Sequence, residues 1–243
     1  MSKNKLQKFS EMAGFPNVYQ NFDVKLPILT NSEGEELNLK GKWHKLHFKN
    51  NNPITLELAC GRGEYTIGLA RSFPERNFVG IDIKGARIWK GAKHAIEEGL
   101  DNAAFLRTRI EQIAAFFEPG EIDDIWITFP DPFLKKGKAN RRLTSPAFLA
   151  RYQKIMNPGQ PIHLKTDSPE LFGYTLAVVK GLDLIIEEEN HDIYAGPLPL
   201  PELDIKTYYE KMHLENGLKI RYVRFKLPEN PIPKMPRSFG EED

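Results

Sequence analysis

A chain of 243 residues with a formal net charge of +1 at pH 7 suits one large α/β domain, or one domain with an extension, and a core of that size needs no disulfide. The near-zero charge excludes a protein that coats nucleic acid through bulk electrostatics, and leaves room for local basic patches. The single cysteine, Cys60, excludes an internal disulfide and fits a reducing compartment. The start, MSKNKLQKFSEM, has no apolar middle of the signal-peptide kind, and the apolar stretch near 176–186 is broken by Lys180 and Asp183. A soluble cytoplasmic protein with no membrane partner is therefore expected.

Residues 1–50 carry no strong period and read as an extension of turns and short extended pieces. From Ile54 the pattern becomes regular. A strand over 54–59 runs into a glycine turn, Gly61-Arg62-Gly63, followed by a helix over 64–72 that stops near Pro74. A second strand over 77–83 leads to a helix over 84–99, with Ile88, Ala92, Ala95 and Ile96 on one face. A third strand over 103–107 precedes a short helix over 110–117. A fourth strand spans 123–128. Ser145 is placed to cap a helix over 147–156. A fifth strand covers 161–165, and Ser168-Pro169 opens a helix over 170–181. Later strands are expected over 182–188 and 218–226. Residues 196–204 form a proline-rich loop, and the chain after Lys226 is Pro-rich and expected to be extended. Strands alternating with helices imply a doubly wound, mostly parallel sheet, with the strand C-terminal ends and their loops on one rim.

The most informative segment is 128–143, TFPDPFLKKGKANRRL. It holds Asp131 between Pro130 and Pro132 directly after the fourth strand, and the prolines restrict the backbone around the acid. Lys135, Lys136, Lys138, Arg141 and Arg142 follow as a flexible basic loop of the kind a phosphate backbone would meet. A proline turn followed by a solvated basic loop is the plain alternative, and the same holds for the lysines at 40, 42, 45 and 49 and at 3, 5 and 8. The strand LELA followed by Cys60-Gly61-Arg62-Gly63 has Thr66 where a dinucleotide fingerprint needs glycine. Its helix also begins with Glu64, where a pyrophosphate would be repelled. With Glu57 inside the strand, the turn suits a ligand with a positive end. Asp82 ends the second strand 21 positions after Gly61, where an acid commonly accepts ribose hydroxyls or caps the next helix. Thr166-Asp167 recurs at the end of the fifth strand, where Asp167 could instead cap the helix from Ser168. Thr207, Tyr208, Tyr209 and Glu210 could be an ordinary helix start. No histidine pair stands at metal spacing, so no metal is expected, and no histidine is near Cys60 in sequence to make it a nucleophile.

In order and spacing, these residues resemble the bacterial tRNA (guanine-N7-)-methyltransferase family. The likeness covers about residues 54–226, and its specific parts are FPDPFLKK with NRRLTSPAFL, LKTD at 164–167 and TYYE at 207–210. The resemblance implies a seven-stranded, Rossmann-like methyltransferase sheet over 51–227, with 1–50 as an N-terminal extension and 228–243 as a flexible Pro-rich tail. It implies S-adenosylmethionine as methyl donor and a guanine of the tRNA variable loop, at position 46, as acceptor. Carried over by position, Glu57, Gly61, Gly63, Asp82, Arg109 and Asp131 would contact the cofactor, and Asp131 would be the catalytic acid. Lys135, Asp167, Thr207, Tyr208, Tyr209 and Glu210 would contact the substrate. The chain departs from the family at Ala59 (usually the first glycine), at Phe133 and Leu134 (usually Trp-Pro), at Gly137 and Ala139 in the basic loop, and at Arg109 (usually an acid or Asn). Monomer and homodimer stay open. So do two other functions: methylation of an exocyclic amine such as adenine N6, whose acid or Asn precedes Pro-Pro-aromatic, and noncatalytic RNA binding on the same scaffold.

Overall fold

The apolar run ITLEL becomes β4 (Ile54–Leu58), with all five residues buried. A strand covered on both faces reads as a continuous apolar run, not an alternation. This is a computed structural model; it describes residues 3–23, 25–235 and 239. The chain divides into two compact units after Ile122.

The first unit holds α1 (Lys3–Ala13), β1 (Val18–Gln20), β2 (Leu29–Thr30), β3 (Glu36–Leu37), β4, α2 (Glu64–Ser72), β5 (Asn77–Asp82), α3 (Gly85–Glu97) and β6 (Ala103–Arg107). Its strands lie in the order β3-β2-β1-β6-β5-β4. The pairs β4–β5, β5–β6 and β1–β6 are parallel, and β1–β2 and β2–β3 are antiparallel. The parallel pairs leave the C-terminal ends of β4, β5 and β6 on one edge.

Residues 1–50 contribute more than turns. Val18, Tyr19 and Gln20 pair with Phe105, Leu106 and Arg107. In α1, Met12 is buried, and Glu11 accepts from the Trp89 indole at 2.8 Å. A Cβ at Gly85 would lie 2.6 Å from the Phe9 ring and 2.9 Å from Met12 Cε, so glycine lets α1 approach the start of α3. Trp43 is fully buried, stacks on Phe117 at 5.2 Å and donates to the Phe116 carbonyl at 2.9 Å. The buried Glu121 carboxylate accepts from the backbone N–H groups of Gly41, Trp43 and Glu118. Backbone donors of this kind satisfy a charge that would otherwise be costly to bury. In α3, Ile88, Ala92 and Ala95 are buried as expected, but Ile96 is 42% exposed.

The second unit holds β7 (Asp124–Thr128), α4 (Pro146–Tyr152), β8 (Pro161–Thr166), α5 (Pro169–Gly181), β9 (Ile185–Asn190), α6 (Tyr208–Glu215) and β10 (Arg221–Lys226). Its strand order is β7-β8-β10-β9; β7–β8 is parallel, and β10 runs antiparallel to both neighbours. Its core carries a polar stack. His163 lies flat on Trp126 at 4.0 Å, 3.0 Å from Asp124 and 2.7 Å from the Tyr222 hydroxyl. Burial pushes the Tyr222 phenol up.

All seven strands expected from the sequence are present, and three short ones from residues 1–50 join them. Of the expected tail, 236–238 and 240–243 lie outside the described residues. Gln153 binds the carbonyls of Pro228 and Asn230 and accepts from Ile232 N–H. No described helix is long and apolar enough to cross a membrane.

Candidate active site

After β4 the chain reverses through Ala59, Gly61 and Gly63, all left-handed at φ 59°, 56° and 69°. A Cβ on Gly63 would meet the Phe105 ring at 2.6 Å and Gly91 Cα at 3.1 Å. Gly63 is therefore required where the turn seats on α3. A Cβ on Gly61 would meet only the Ala59 carbonyl, at 3.9 Å, so the backbone there faces open space. Asp82, buried at the end of β5, accepts from Gly61 N–H at 3.0 Å through one oxygen and from Lys84 N–H at 2.8 Å through the other. It ties the turn to the strand end and starts α3, and each oxygen keeps a second lone pair.

Glu57 is buried in β4 and accepts from both the Thr66 N–H, at 2.8 Å, and the Thr66 hydroxyl. It supplies the acceptor that Gly63, as N-cap of α2, lacks. Cys60 is buried; burial, then the Glu57 and Asp82 carboxylates, push its thiol well up, which makes it a poor nucleophile. Arg109 is exposed just beyond β6. Beside it, Thr108 is buried, and its hydroxyl has no hydrogen-bond partner among the described residues. The sequence motifs single out Arg109 in that loop and give Thr108 no role.

In the second unit, β7 leads into a strained turn. Phe129 and Phe133, on either side of Pro130-Asp131-Pro132, are left-handed at φ 47° and 43°. Bulky residues rarely adopt that region, and such strain concentrates at functional sites. Asp131 is exposed and closes the turn by accepting from Phe133 N–H at 3.0 Å. It lines a cleft of about 340 Å³ with Pro132, Phe133, Leu134, Lys135 and Lys138.

The basic segment differs from its sequence reading. It contains a 3-10 helix over Lys136–Arg141, and Arg142 is buried. Arg142 donates to the carbonyls of Pro132 at 3.0 Å and Phe133 at 3.1 Å and lies over the Tyr174 ring at 4.3 Å. It holds the acidic turn from within and is not a surface phosphate contact. Lys135, Lys138 and Arg141 are exposed, and Arg141 lies 5.5 Å over the Phe133 ring.

Asp167, half-buried at the end of β8, lies 3.7 Å from His213 of α6. It does not cap α5; Ser168 does so, accepting from Leu171 N–H at 3.1 Å. His213 also stacks on Phe129 at 5.9 Å, so it joins the acidic turn, Asp167 and α6. Nothing in its sequence spacing signals this. Thr207 caps α6 by accepting from Glu210 N–H at 3.2 Å. Tyr208 and Tyr209 are 52% and 40% exposed. Glu210 points inward, 2.7 Å from Lys165 and 2.7 Å from the Tyr194 hydroxyl.

The family described as "Putative methyltransferase" matches residues 51–222. A tRNA (guanine-N(7)-)-methyltransferase of Bacteroides thetaiotaomicron is 47% identical over 236 residues, 97% of this chain and 90% of the relative. The chain belongs to the tRNA (guanine-N7-)-methyltransferase family. The enzyme of that name from Porphyromonas gingivalis is 50% identical over 219 residues, covering 90% of this chain and 87% of its own. Among solved structures, the 16S rRNA methyltransferase KamB superposes with a TM-score of 0.60 at 13% identity, over 80% of this chain and 96% of its own. A 16S rRNA (adenine(1408)-N(1))-methyltransferase from Catenulisporales acidiphilia, with cosubstrate SAM, gives 0.54 at 16%, over 83% and 96%. Likeness at this identity shows the α/β methyltransferase fold. In this tRNA (guanine-N7-)-methyltransferase family member, Ala59 stands where the resemblance of the sequence motifs implies a glycine. Its φ of 59° shows why glycine suits the position.

Proposed function

We propose that this methyltransferase transfers a methyl group from S-adenosylmethionine to N7 of a guanine in tRNA, at position 46 of the variable loop, and that it works in the cytoplasm. The observation that carries the reading is the acidic turn: an exposed carboxylate, Asp131, on a strained backbone between two left-handed phenylalanines, in one cleft with the exposed Lys135 and Lys138 and the half-buried Phe133.

The residues of the first unit fit the donor. Glu64 opens α2, which disfavours a pyrophosphate. The open face of Gly61 lets a ligand approach the backbone, the Asp82 carboxylate can accept hydroxyl groups, and Glu57 and Arg109 complete the set. S-adenosylmethionine supplies, when bound, an electrophilic methyl group on a sulfonium. N7 of guanine has a lone pair and no proton, so the chain needs no base there and its main task is alignment. As N7 accepts the methyl group the purine gains positive charge, which the Asp131 carboxylate stabilises. Asp131 and Asp167 accept from the N1–H and N2–H₂ groups of guanine, which adenine does not present in that pattern. Tyr209 and Phe133 stack on the base, and Lys135, Lys138 and Arg141 meet phosphates. Tyr208 completes the RNA-facing segment, which Thr207, buried as the cap of α6, and Glu210, buried against Lys165, hold in shape.

Methyl transfer from labelled S-adenosylmethionine to unmodified total tRNA, followed by nucleoside analysis, tests the proposal. Label in 7-methylguanosine is expected. Label in an N6-methylated adenosine would favour the exocyclic-amine alternative, and no transfer with the donor bound would favour noncatalytic RNA binding.

A further inference from the structure

Lys165 is the penultimate residue of β8, and its side chain is fully buried. A buried ammonium is tolerated only when its donors are satisfied. Lys165 Nζ donates to the carbonyls of Leu203 at 2.9 Å and Ile205 at 3.1 Å, and to Glu210 Oε1 at 2.7 Å. The same Glu210 oxygen accepts from the Tyr194 hydroxyl at 2.7 Å. The backbone carbonyl of Lys165 accepts from Phe129 N–H at 2.9 Å, where the acidic turn begins.

One residue thus grips both the turn that carries Asp131 and the irregular segment that leads into Thr207, Tyr208, Tyr209 and Glu210. Buried ion pairs of this kind contribute little net stability compared with an apolar pair of equal volume. What the pair does contribute is one geometry for a segment with little backbone bonding of its own: between residues 196 and 206, Leu203 N–H reaches Leu200 and Ile205 N–H reaches Glu202.

We infer that Lys165 is a positioning residue for the methyl acceptor: its ammonium holds the 203–210 segment in the shape that receives the RNA. This rests on the reading that the exposed Tyr208 and Tyr209 face the RNA. The groups around the ammonium are Glu210 on α6 and Tyr194, Asp204 and Lys206 on the loop; on β10 its cross-strand neighbour is Tyr222, whose hydroxyl bonds His163. Burial lowers the Lys165 ammonium to about 8, against the opposing pull of Glu210. The ammonium is therefore fully charged only well below pH 8, and the grip is lost as pH rises through about 8.

The test uses the full chain and the variants Lys165→Met and Lys165→Arg. It measures KM for unmodified tRNA from pH 6.5 to 9.5, S-adenosylmethionine affinity by calorimetry, and backbone amide exchange. For Lys165→Met, tRNA KM is expected to rise about tenfold or more at pH 7, with donor affinity within about twofold. Amide exchange should quicken in residues 203–210 and not in β4 or β5. Wild-type tRNA KM should rise above pH 8, while Lys165→Arg, whose guanidinium stays charged, should lack that limb.

An unchanged tRNA KM in Lys165→Met, or equal losses of tRNA and donor affinity, overturns the inference. If Lys165→Met does not fold, a flat wild-type KM between pH 7 and 9.5 overturns it. If the wild type methylates no tRNA, the functional reading fails on its own. The exchange pattern then decides whether Lys165 holds the segment: selective acceleration supports it, and none refutes it.

Discussion

The guanidinium of Arg142 donates to the carbonyl of Phe133 at 3.1 Å, and so fixes the far side of the turn that presents Asp131. Its Nε–H reaches the Pro132 carbonyl at 3.0 Å, and the planar fork makes the two bonds together. A lysine offers a point charge and cannot reproduce that grip.

Arg142→Lys should therefore lower kcat by about 10- to 100-fold, the penalty of a small misplacement of a reacting group. The salt dependence of tRNA binding should stay unchanged, because Arg142 is buried and meets no phosphate. Single-turnover kinetics and a salt titration check both halves; a shallower salt slope would return Arg142 to the RNA surface.

This residue also shows where sequence reading stops. The parallel strands were legible because β4, β5, β6, β7 and β8 are short apolar runs bounded by turn residues, and α2 because its pattern lies between a glycine turn and Pro74. The motifs at Asp82, Asp131 and Asp167 were legible because strand C-terminal ends collect ligand chemistry. The direction in which Arg142 points was not, since adjacent arginines differ only in what packs around them: Arg141 is exposed and Arg142 buried. Helix α1 was missed because it has few apolar residues and no acid in its first turn, and β1 because three residues find their partner only in β6. The Lys165–Glu210 pair joins residues far apart in sequence, so no local pattern reports it.

Asp131→Ala should reduce turnover by orders of magnitude at a stability cost of only about 0.5–1.5 kcal/mol, that of the bond from Phe133 N–H, because the side chain is otherwise exposed. Asp131→Asn keeps an acceptor for Phe133 N–H but loses the charge. Turnover in the asparagine variant close to that of alanine would assign the effect to charge; turnover near wild type would remove the carboxylate from the chemistry. Thermal melts alongside kcat make the comparison.

Lys135→Ala should weaken tRNA binding and lower the magnitude of the salt slope by about 0.7–0.9, the share of one phosphate contact. Lys135 is exposed beside the acidic cleft, so donor affinity should not move. An unchanged slope contradicts a phosphate contact there.

Ala59→Gly should stabilise the protein by about 0.5–1 kcal/mol. The left-handed conformation of Ala59 costs roughly 1–2 kcal/mol, and glycine recovers it less its own backbone entropy of about 0.5–1 kcal/mol. Denaturant unfolding measures this directly; a loss of stability would mean that the alanine methyl packs better than its backbone is strained.

Every residue role above depends on methyl transfer to guanine N7. The most direct measurement is methyl transfer to one unmodified tRNA transcript with guanine at position 46, beside the same transcript with adenine there. Label in 7-methylguanosine is expected from the first and none from the second. Equal labelling of both, or label in any other nucleoside, would contradict transfer to guanine N7.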